Sequence, residues 1–273
     1  MPIAQVNGAG LYYAEAGRPD GEVVVFSHGL LFNLTMFEHQ MVTLAERGYR
    51  VIAFDWRGQG RSMAAGDEEA YGFDSLAEDA YALLQYLEIA RCHWVGLSMG
   101  AMVAFQLYFK QPELFRSLSL INTSADAEPA ENLPRYQQLT QTYKVFGAVP
   151  ALLEALQQIF FSPTFKTRAP QEWERWSKVL AHNNRDSIEL TGSGVFKRQA
   201  VTERLGEIKV PTLIVVGAHD LATTPEHSEI MHRQITGSKL VTIAEAGHSS
   251  SIEQPEMVSH ELLAFLDSLK ATL

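Results

Sequence analysis

Gly96-Leu97-Ser98-Met99-Gly100 joins a β-rich run at 92–96 to a helix-forming run at 101–109. A serine between two glycines at a sharp strand-to-helix turn is typical of a nucleophile elbow. Such a turn strains the backbone of the serine, and the flanking glycines avoid the Cβ clashes that it would otherwise create. The turn exposes the hydroxyl at a helix N-terminus, where the helix dipole favours developing negative charge.

Composition limits the class of protein. The chain has 273 residues, of which 46% are hydrophobic and 20% are charged, as in one large globular domain or one domain with an inserted lid. The net charge of −10 without a basic cluster argues against a nucleic-acid partner. Cys92 is the only cysteine, so no disulfide forms within the chain, and its apolar neighbours predict a packed thiol. The sequence has no apolar run of the roughly 18 residues that span a membrane and no signal peptide, which predicts a cytoplasmic protein without membrane association.

Strand-like and helix-like segments alternate in the first part of the chain. A hairpin is predicted around Asn7-Gly8-Ala9-Gly10, and Asp74 is predicted to cap a helix. The other predicted strands are 23–27, 50–54, 92–96 and 118–122, and the predicted helices are 36–47, 74–87 and 98–110. This alternation indicates an α/β protein with a mostly parallel, doubly wound sheet.

The alternation stops between residues 124 and 204. This segment has several helical stretches, five prolines and many aromatic residues, but no convincing strand. We interpret 124–204 as a helical cap inserted into a core domain made of 1–123 and 205–273. The alternative is that these helices pack on one side of the sheet. Strands are predicted again at 212–216 and 240–243, and Pro255 starts a final amphipathic helix.

Two later residues complete a catalytic arrangement with Ser98. A serine hydroxyl needs a base, and the base needs an acid that orients it. Asp220 follows the strand 212–216, and His248 follows the strand 240–243. Because ligands gather at the carboxyl ends of parallel strands, we expect all three side chains at one edge of the sheet. The predicted roles are nucleophile for Ser98, acid for Asp220 and base for His248.

Other titratable residues receive structural interpretations. Asp126 is the alternative acid, because it follows the strand 118–122. His219 lies next to Asp220, would point away from it, and is assigned a packing role. The remaining histidines are interpreted as surface or helix-face residues: His39, His93, His182, His227, His232 and His260.

Two backbone N–H groups are predicted to form an oxyanion hole. Met99 directly follows the serine, and Leu30 lies in the loop after the strand 23–27, where His28 is expected to brace the backbone. The glycine-rich loop 55–62 lacks G-x-G-x-x-G spacing, so we interpret it as a turn held by Asp55 and Arg57 and not as a phosphate site.

Together these motifs resemble the α/β-hydrolase superfamily over the whole chain. The matching motifs are His28-Gly29, the loop 55–62, the elbow at Ser98, Asp220 and Gly247-His248. Within the superfamily the chain is similar to 3-oxoadipate enol-lactonases, acyl-homoserine-lactone hydrolases and small carboxylesterases, which work without a cofactor. The resemblance implies the α/β-hydrolase fold and the same roles for Ser98, Asp220, His248, Leu30 and Met99. Two residues depart from the common pattern and are expected to reshape the acyl pocket, Trp56 and Ala101.

The predicted function is hydrolysis of a small-molecule carboxylic ester or lactone through an acyl-enzyme intermediate on Ser98. C–C bond hydrolysis and cofactor-free perhydrolase (haloperoxidase-like) activity remain open, because they use the same three residues. A non-enzymatic hydrolase-fold receptor is the alternative from a different class. No H-x-H-x-D-H histidine cluster of a metal-dependent lactonase occurs in the sequence. The predicted walls of the substrate pocket are Leu31, Phe32, Met99, Trp173 and Trp176. No oligomeric state is predicted.

Overall fold

An eight-stranded sheet forms the centre of the molecule, of which a computed structural model describes residues 2–270. The strands are β1 Ile3–Val6, β2 Ala9–Gly17, β3 Val23–Ser27, β4 Arg50–Phe54, β5 Cys92–Leu97, β6 Phe115–Ile121, β7 Thr212–Gly217 and β8 Lys239–Ile243. Their spatial order is β1-β2-β4-β3-β5-β6-β7-β8. The β1–β2 and β2–β4 pairs are antiparallel, and all other pairs are parallel. The mostly parallel sheet predicted from the sequence is therefore confirmed.

Helices follow most of the strands. The described residues contain the helices α1 Glu38–Glu46, α2 Phe73–Tyr86, α3 Met99–Lys110, α4 Leu133–Phe146, α5 Pro150–Phe160, α6 Phe165–Arg168, α7 Pro170–Ala181, α8 Arg185–Phe196, α9 Pro225–Gln234, α10 Ser250–Glu253 and α11 Pro255–Lys270. We call α4 to α8, which lie between β6 and β7, the helical insertion. Proline begins α5, α7, α9 and α11, where its missing N–H costs nothing and its fixed φ suits the helix.

The central strands are buried on both faces. Val24, Val25 and Phe26 of β3 have no exposed surface, and β3 pairs in parallel with β4 and β5 on its two sides. A run of apolar residues without alternation is what such a position requires. Cys92 at the start of β5 is also buried, and burial raises the pKa of its thiol to about 12, so it is the packed thiol that the sequence predicted.

Some element boundaries differ from the prediction. Helix α2 begins at Phe73 after Gly72, so Asp74 lies inside the first turn and the prediction that it caps the helix is wrong. Strand β6 begins at Phe115, three residues before the predicted start at Leu118. Helix α9 was not predicted, because Ser228 and Met231 are the residues that it buries and they give almost no apolar periodicity.

Candidate active site

Ser98 lies at the turn between β5 and α3, where its backbone has φ 53° and ψ −118°. Positive φ is uncommon for a residue other than glycine, and such strain costs on the order of 1–3 kcal/mol. Hydrogen bonds from the surrounding strands hold the turn in place. The N–H of Ser98 donates to the Ile121 carbonyl over 2.9 Å, and its carbonyl accepts from the Thr123 hydroxyl over 3.0 Å.

The glycines on either side of this turn allow close packing. A Cβ on Gly96 would lie 2.6 Å from the Ala101 nitrogen, and a Cβ on Gly100 would collide with the carbonyl oxygen of Ser27 in β3. Both contacts are closer than real Cβ atoms approach, so any larger residue would displace β3 or α3. The G-x-S-x-G pattern is therefore a packing requirement of this turn as well as a sequence motif.

Asp220 and His248 lie together after the carboxyl ends of β7 and β8. The Nδ1 atom of His248 is 3.0 Å from each carboxylate oxygen of Asp220. Both residues are only 2% exposed. Because β5 to β8 run parallel, the loops that carry these residues emerge at the same sheet edge as Ser98.

The Asp220 carboxylate accepts further hydrogen bonds. It accepts from the backbone N–H and the hydroxyl of Thr223 over 3.0 and 2.9 Å, and from the side-chain amide of Asn122 over 2.8 Å. Burial alone would raise the pKa of Asp220, but His248 and these donors outweigh it, so the pKa is below its usual value. An ionised Asp220 accepts only, so the proton of a neutral His248 is held on Nδ1 and Nε2 is left as a base.

Asn122 is a site residue that the sequence reasoning missed. Its backbone φ is 45°, and its amide also donates to the Gly247 carbonyl over 3.1 Å. It thus connects the acid to the loop of the histidine. The position after β6 drew attention to Asp126 instead, but the Asp126 carboxylate accepts from the Thr202 hydroxyl and makes no hydrogen bond to His248 in residues 2–270. The competing assignment of Asp126 as the acid finds no support in these contacts.

One cavity is lined by both Ser98 and His248. The Ser98 hydroxyl makes no hydrogen bond to any residue within 2–270, so it is free to meet a ligand. Catalytic hydrogen bonds are commonly long without a substrate and tighten when it binds. The structure therefore brings the predicted nucleophile and base to one cavity but does not join them by a hydrogen bond.

The backbone N–H groups of Leu30 and Met99 lie beside Ser98 and have no acceptor in the described part of the chain. Their neighbour Leu31 is paired, because its N–H donates to Gln59 Oε1 over 2.8 Å. A Cβ on Gly29 would lie 3.4 Å from Ser98 Cβ, which places the loop after β3 against the serine. These two N–H groups are thus donors available to an oxygen atom bound near Ser98.

His28 and Trp56 brace this loop. His28 Nε2 accepts from the Trp56 backbone N–H over 3.0 Å, and the Trp56 indole donates to the His28 carbonyl over 2.9 Å. Burial lowers the pKa of His28 to about 4, so its imidazole is neutral and Nδ1–H donates to the Gly29 carbonyl over 2.7 Å. His28 holds the backbone as predicted. Neither Trp56 nor Ala101 lines the cavity, so these contacts do not support the expectation that they reshape the acyl pocket.

The loop after β4 also has a structural role. Asp55 accepts from the backbone N–H groups of Leu34 and Arg61 over 2.7 and 2.8 Å. Arg57 instead pairs with the buried Asp79 of α2, at 2.6 Å from Nη2 to Oδ1. The turn is therefore held by Asp55, while Arg57 ties it to a neighbouring helix.

Glu253 is a second residue that the sequence reasoning missed. It is 5% exposed, and it accepts from the backbone N–H of Gly247 over 2.8 Å and from that of Ser162 over 2.9 Å. A second link joins the same two segments, because the N–H of Ser249 donates to the Phe160 carbonyl over 2.9 Å. The loop of His248 is thus bonded on both sides of the histidine to the segment after α5.

Replacing Glu253 by alanine is expected to destabilise the protein by about 2–5 kcal/mol, since two buried N–H groups lose their acceptor. Thermal unfolding should show a melting temperature lowered by several degrees. Glu256→Ala is the matched control, because Glu256 is exposed on the neighbouring helix α11. Equal melting temperatures for the two variants would show that Glu253 does not hold the two segments together.

The structure divides the predicted pocket residues into two groups. Leu31 lines the cavity of Ser98, whereas Phe32, Met99, Trp173 and Trp176 do not. Phe32 packs against Phe160 and Trp176 with ring centroids 5.2 and 5.7 Å apart, and Trp173 packs against Phe161 at 5.8 Å. These aromatic residues form a cluster beside the cavity, and their contacts do not support the prediction that they form its walls.

Two of the histidine interpretations are also corrected. His93 is 5% exposed within β5 and its Nδ1 lies 2.8 Å from the Ser117 hydroxyl, so it is neither a surface nor a helix-face residue. The side chain of His219 is exposed, and only its backbone N–H takes part in packing, by donating to the Ala246 carbonyl over 2.8 Å. Neither histidine belongs to the cavity of Ser98.

Between residues 2 and 270, no three His, Cys, Asp or Glu side chains lie together in a group that could hold a metal ion. Over that range, none of the helices is both long enough and apolar enough to cross a membrane.

The sequence matches known proteins over almost its full length. A family model described as the α/β-hydrolase fold matches residues 22–255. The chain is 30% identical over 256 residues to 3-oxoadipate enol-lactonase 2 of Acinetobacter baylyi, which covers 94% of this chain and 92% of that protein.

Solved structures with a similar fold include an enol-lactonase and an esterase. The enol-lactonase of Burkholderia xenovorans superposes with a TM-score of 0.89 at 27% identity, over 97% of this chain and 100% of that one. A thermophilic esterase of Thermogutta terrifontis also has a TM-score of 0.89, at 26% identity over 96% of this chain and 94% of that one.

Proposed function

The chain belongs to the α/β-hydrolase family, and from this we propose that it hydrolyses carboxylic esters or lactones with Ser98, His248 and Asp220 as its catalytic residues. The observation that carries the proposal is the buried Asp220–His248 pair, which faces the cavity that Ser98 also lines. The similarity to an enol-lactonase and an esterase supports the choice of reaction.

The first half of the reaction forms an ester on Ser98. In the proposed mechanism His248 Nε2 takes the hydroxyl proton as Oγ attacks the substrate carbonyl. The N–H groups of Leu30 and Met99 donate to the oxyanion, an effect that is worth on the order of 10²–10³ in rate for one such donor. His248 then protonates the departing alcohol, which remains attached to the acyl group when the substrate is a lactone.

The second half releases the acid. Water takes the place of the alcohol, His248 Nε2 removes its proton, and the hydroxide attacks the acyl-enzyme. Asp220 keeps its negative charge throughout. It holds the imidazole by Nδ1 and stabilises the imidazolium that forms in each half, which is consistent with the lowered pKa of its carboxyl group.

We further propose that residues 124–204 act as a cap over the core domain. Helices α4, α5 and α8 of the helical insertion contribute to the wall of the cavity that Ser98 lines, through residues such as Leu139, Leu152 and Ile188. An apolar wall of this kind excludes water from the carbonyl and binds the hydrocarbon part of a substrate.

Labelling with a fluorophosphonate probe tests the proposed nucleophile. We expect the probe to modify Ser98, as identified by peptide mass spectrometry. The rate of p-nitrophenyl butanoate hydrolysis should fall in proportion to the fraction of protein labelled. A protein that hydrolyses the ester at full rate after complete labelling would contradict the mechanism. A chain that neither reacts with the probe nor hydrolyses any ester or lactone would instead be a binding protein with a hydrolase fold.

A further inference from the structure

We propose that the site is selective for uncharged esters and lactones, because a Glu128–Arg198 ion pair in the cavity wall leaves no unpaired cation for a substrate carboxylate. This inference rests on the proposed function, since it concerns the substrate of the same cavity. We call this preference for uncharged substrates the charge rule, and the catalytic residues alone do not impose it.

The cavity wall is mostly apolar. The helical insertion supplies the side chains Leu139, Leu152, Leu156, Ile159, Phe160 and Ile188. Among the described lining residues, the charged side chains besides the catalytic histidine are Glu128 and Arg198. A carboxylate that entered this cavity would lose its hydration and would need a cation to replace it.

Arg198 already has a counter-charge. Its Nη1 lies 3.4 Å from Glu128 Oε2, and the two side chains are only 7% and 12% exposed. The rest of its contacts fix the guanidinium in place, because Nε donates to the Asp126 carbonyl over 2.9 Å and Nη1 donates to the Val195 carbonyl over 3.0 Å. The Glu128–Arg198 ion pair is therefore held in place in the cavity wall, unlike an exposed ion pair on the surface.

Two carboxylates, those of Glu128 and Asp126, act on the single guanidinium of Arg198. Glu128 is held by a hydrogen bond of 2.9 Å from the Asn132 amide, and the charge of Asp126 also acts on Arg198. Because Glu128 and Asp126 already act on the charge of Arg198, an added carboxylate would need a further cation. An ester, keto or hydroxyl oxygen would not, because it is neutral and can accept a hydrogen bond without a counter-ion.

Pairs of substrates that differ in one charge test this rule. On the acyl side the pair is p-nitrophenyl hexanoate and mono-p-nitrophenyl adipate, and on the alcohol side it is methyl 4-butanoyloxybenzoate and 4-butanoyloxybenzoate. With spontaneous hydrolysis subtracted, we expect kcat/KM of the wild-type protein to favour the neutral member of at least one pair by more than about tenfold.

Glu128→Gln removes the counter-charge while keeping an oxygen for Asn132. In the substrate pair for which the wild type prefers the neutral member, this variant should reduce that preference by about tenfold, because Arg198 becomes an unpaired cation. Glu131→Gln is the matched control, because Glu131 is exposed in the same segment and lies outside the cavity wall. The Glu131→Gln protein should prefer the neutral substrate as strongly as the wild type does. Melting curves establish that both variants fold.

The outcomes separate this inference from the proposed function. Equal kcat/KM values for the charged and neutral members of both pairs would overturn the charge rule. The hydrolase assignment would stand if the fluorophosphonate probe still labels Ser98 and hydrolysis still requires Ser98. A preference that Glu128→Gln and Glu131→Gln change equally would also overturn it. Failure to hydrolyse any of the four esters, with no labelling of Ser98, would reject the proposed function itself.

Discussion

Ser98→Ala is expected to lower kcat for ester hydrolysis by about 10⁴–10⁶-fold. The variant has no hydroxyl to attack the carbonyl, so the acyl-enzyme cannot form and only the oxyanion donors and substrate binding remain. Steady-state assays with p-nitrophenyl butanoate measure the loss. Alanine is preferred to glycine because it keeps a Cβ in the strained turn at φ 53°, so the backbone is changed least.

The control for this variant is another serine far from the cavity. Ser75→Ala removes a hydroxyl that donates to the Glu69 carbonyl, and its kcat should stay within a factor of two of the wild type. The Ser98→Ala protein should also unfold at nearly the wild-type temperature, which excludes misfolding as the cause. A Ser98→Ala enzyme that retains even one tenth of the wild-type kcat would refute a serine nucleophile.

Asp220→Asn is expected to lower kcat by about 10⁴-fold. Asparagine presents an amide donor where the carboxylate accepted from His248 Nδ1, so the imidazole is stabilised with its proton on Nε2 and cannot take the proton of Ser98. The variant also loses the negative charge that stabilises the imidazolium. Because the change keeps the shape of the side chain, KM should change far less than kcat.

Asp126→Asn is the matched control for the acid, since Asp126 follows β6 and was the alternative assignment. Its carboxylate accepts from Thr202 and is not bonded to His248, so we expect less than a tenfold loss of kcat. A greater loss for Asp126→Asn than for Asp220→Asn would transfer the role of the acid to Asp126. Comparable small losses for both would mean that the histidine needs no carboxylate partner.

Hydrogen bonds connect the loop of His248 to the helical insertion. Glu253 bonds the loop at Gly247 to the backbone at Ser162, and Ser249 bonds it to Phe160. Phe160 itself lines the cavity and packs against the His248 ring at 5.8 Å. The position of His248 therefore depends on the helical insertion as well as on β8.

Local sequence patterns predicted the parallel sheet and the positions of the candidate catalytic residues along the chain. Apolar runs such as 23–27, and glycines beside Ser98, are local patterns that reflect local requirements: burial on both faces, and a turn too tight for a Cβ. The expectations for Ser98, Asp220 and His248 followed from such patterns, because each residue comes just after a strand and parallel strands end at one edge.

The contacts between side chains that are distant in sequence come from the fold and not from local patterns. Asn122 with Asp220, Glu253 with Ser162, and Glu128 with Arg198 are separated by 98, 91 and 70 residues, and no local pattern encodes such pairs. The same reason applies to Phe32 and Trp176: an apolar side chain is expected to be buried, but the sequence does not show whether a cavity or another ring covers it. Packing of the helical insertion on the sheet, which involves contacts distant in sequence, settles that choice.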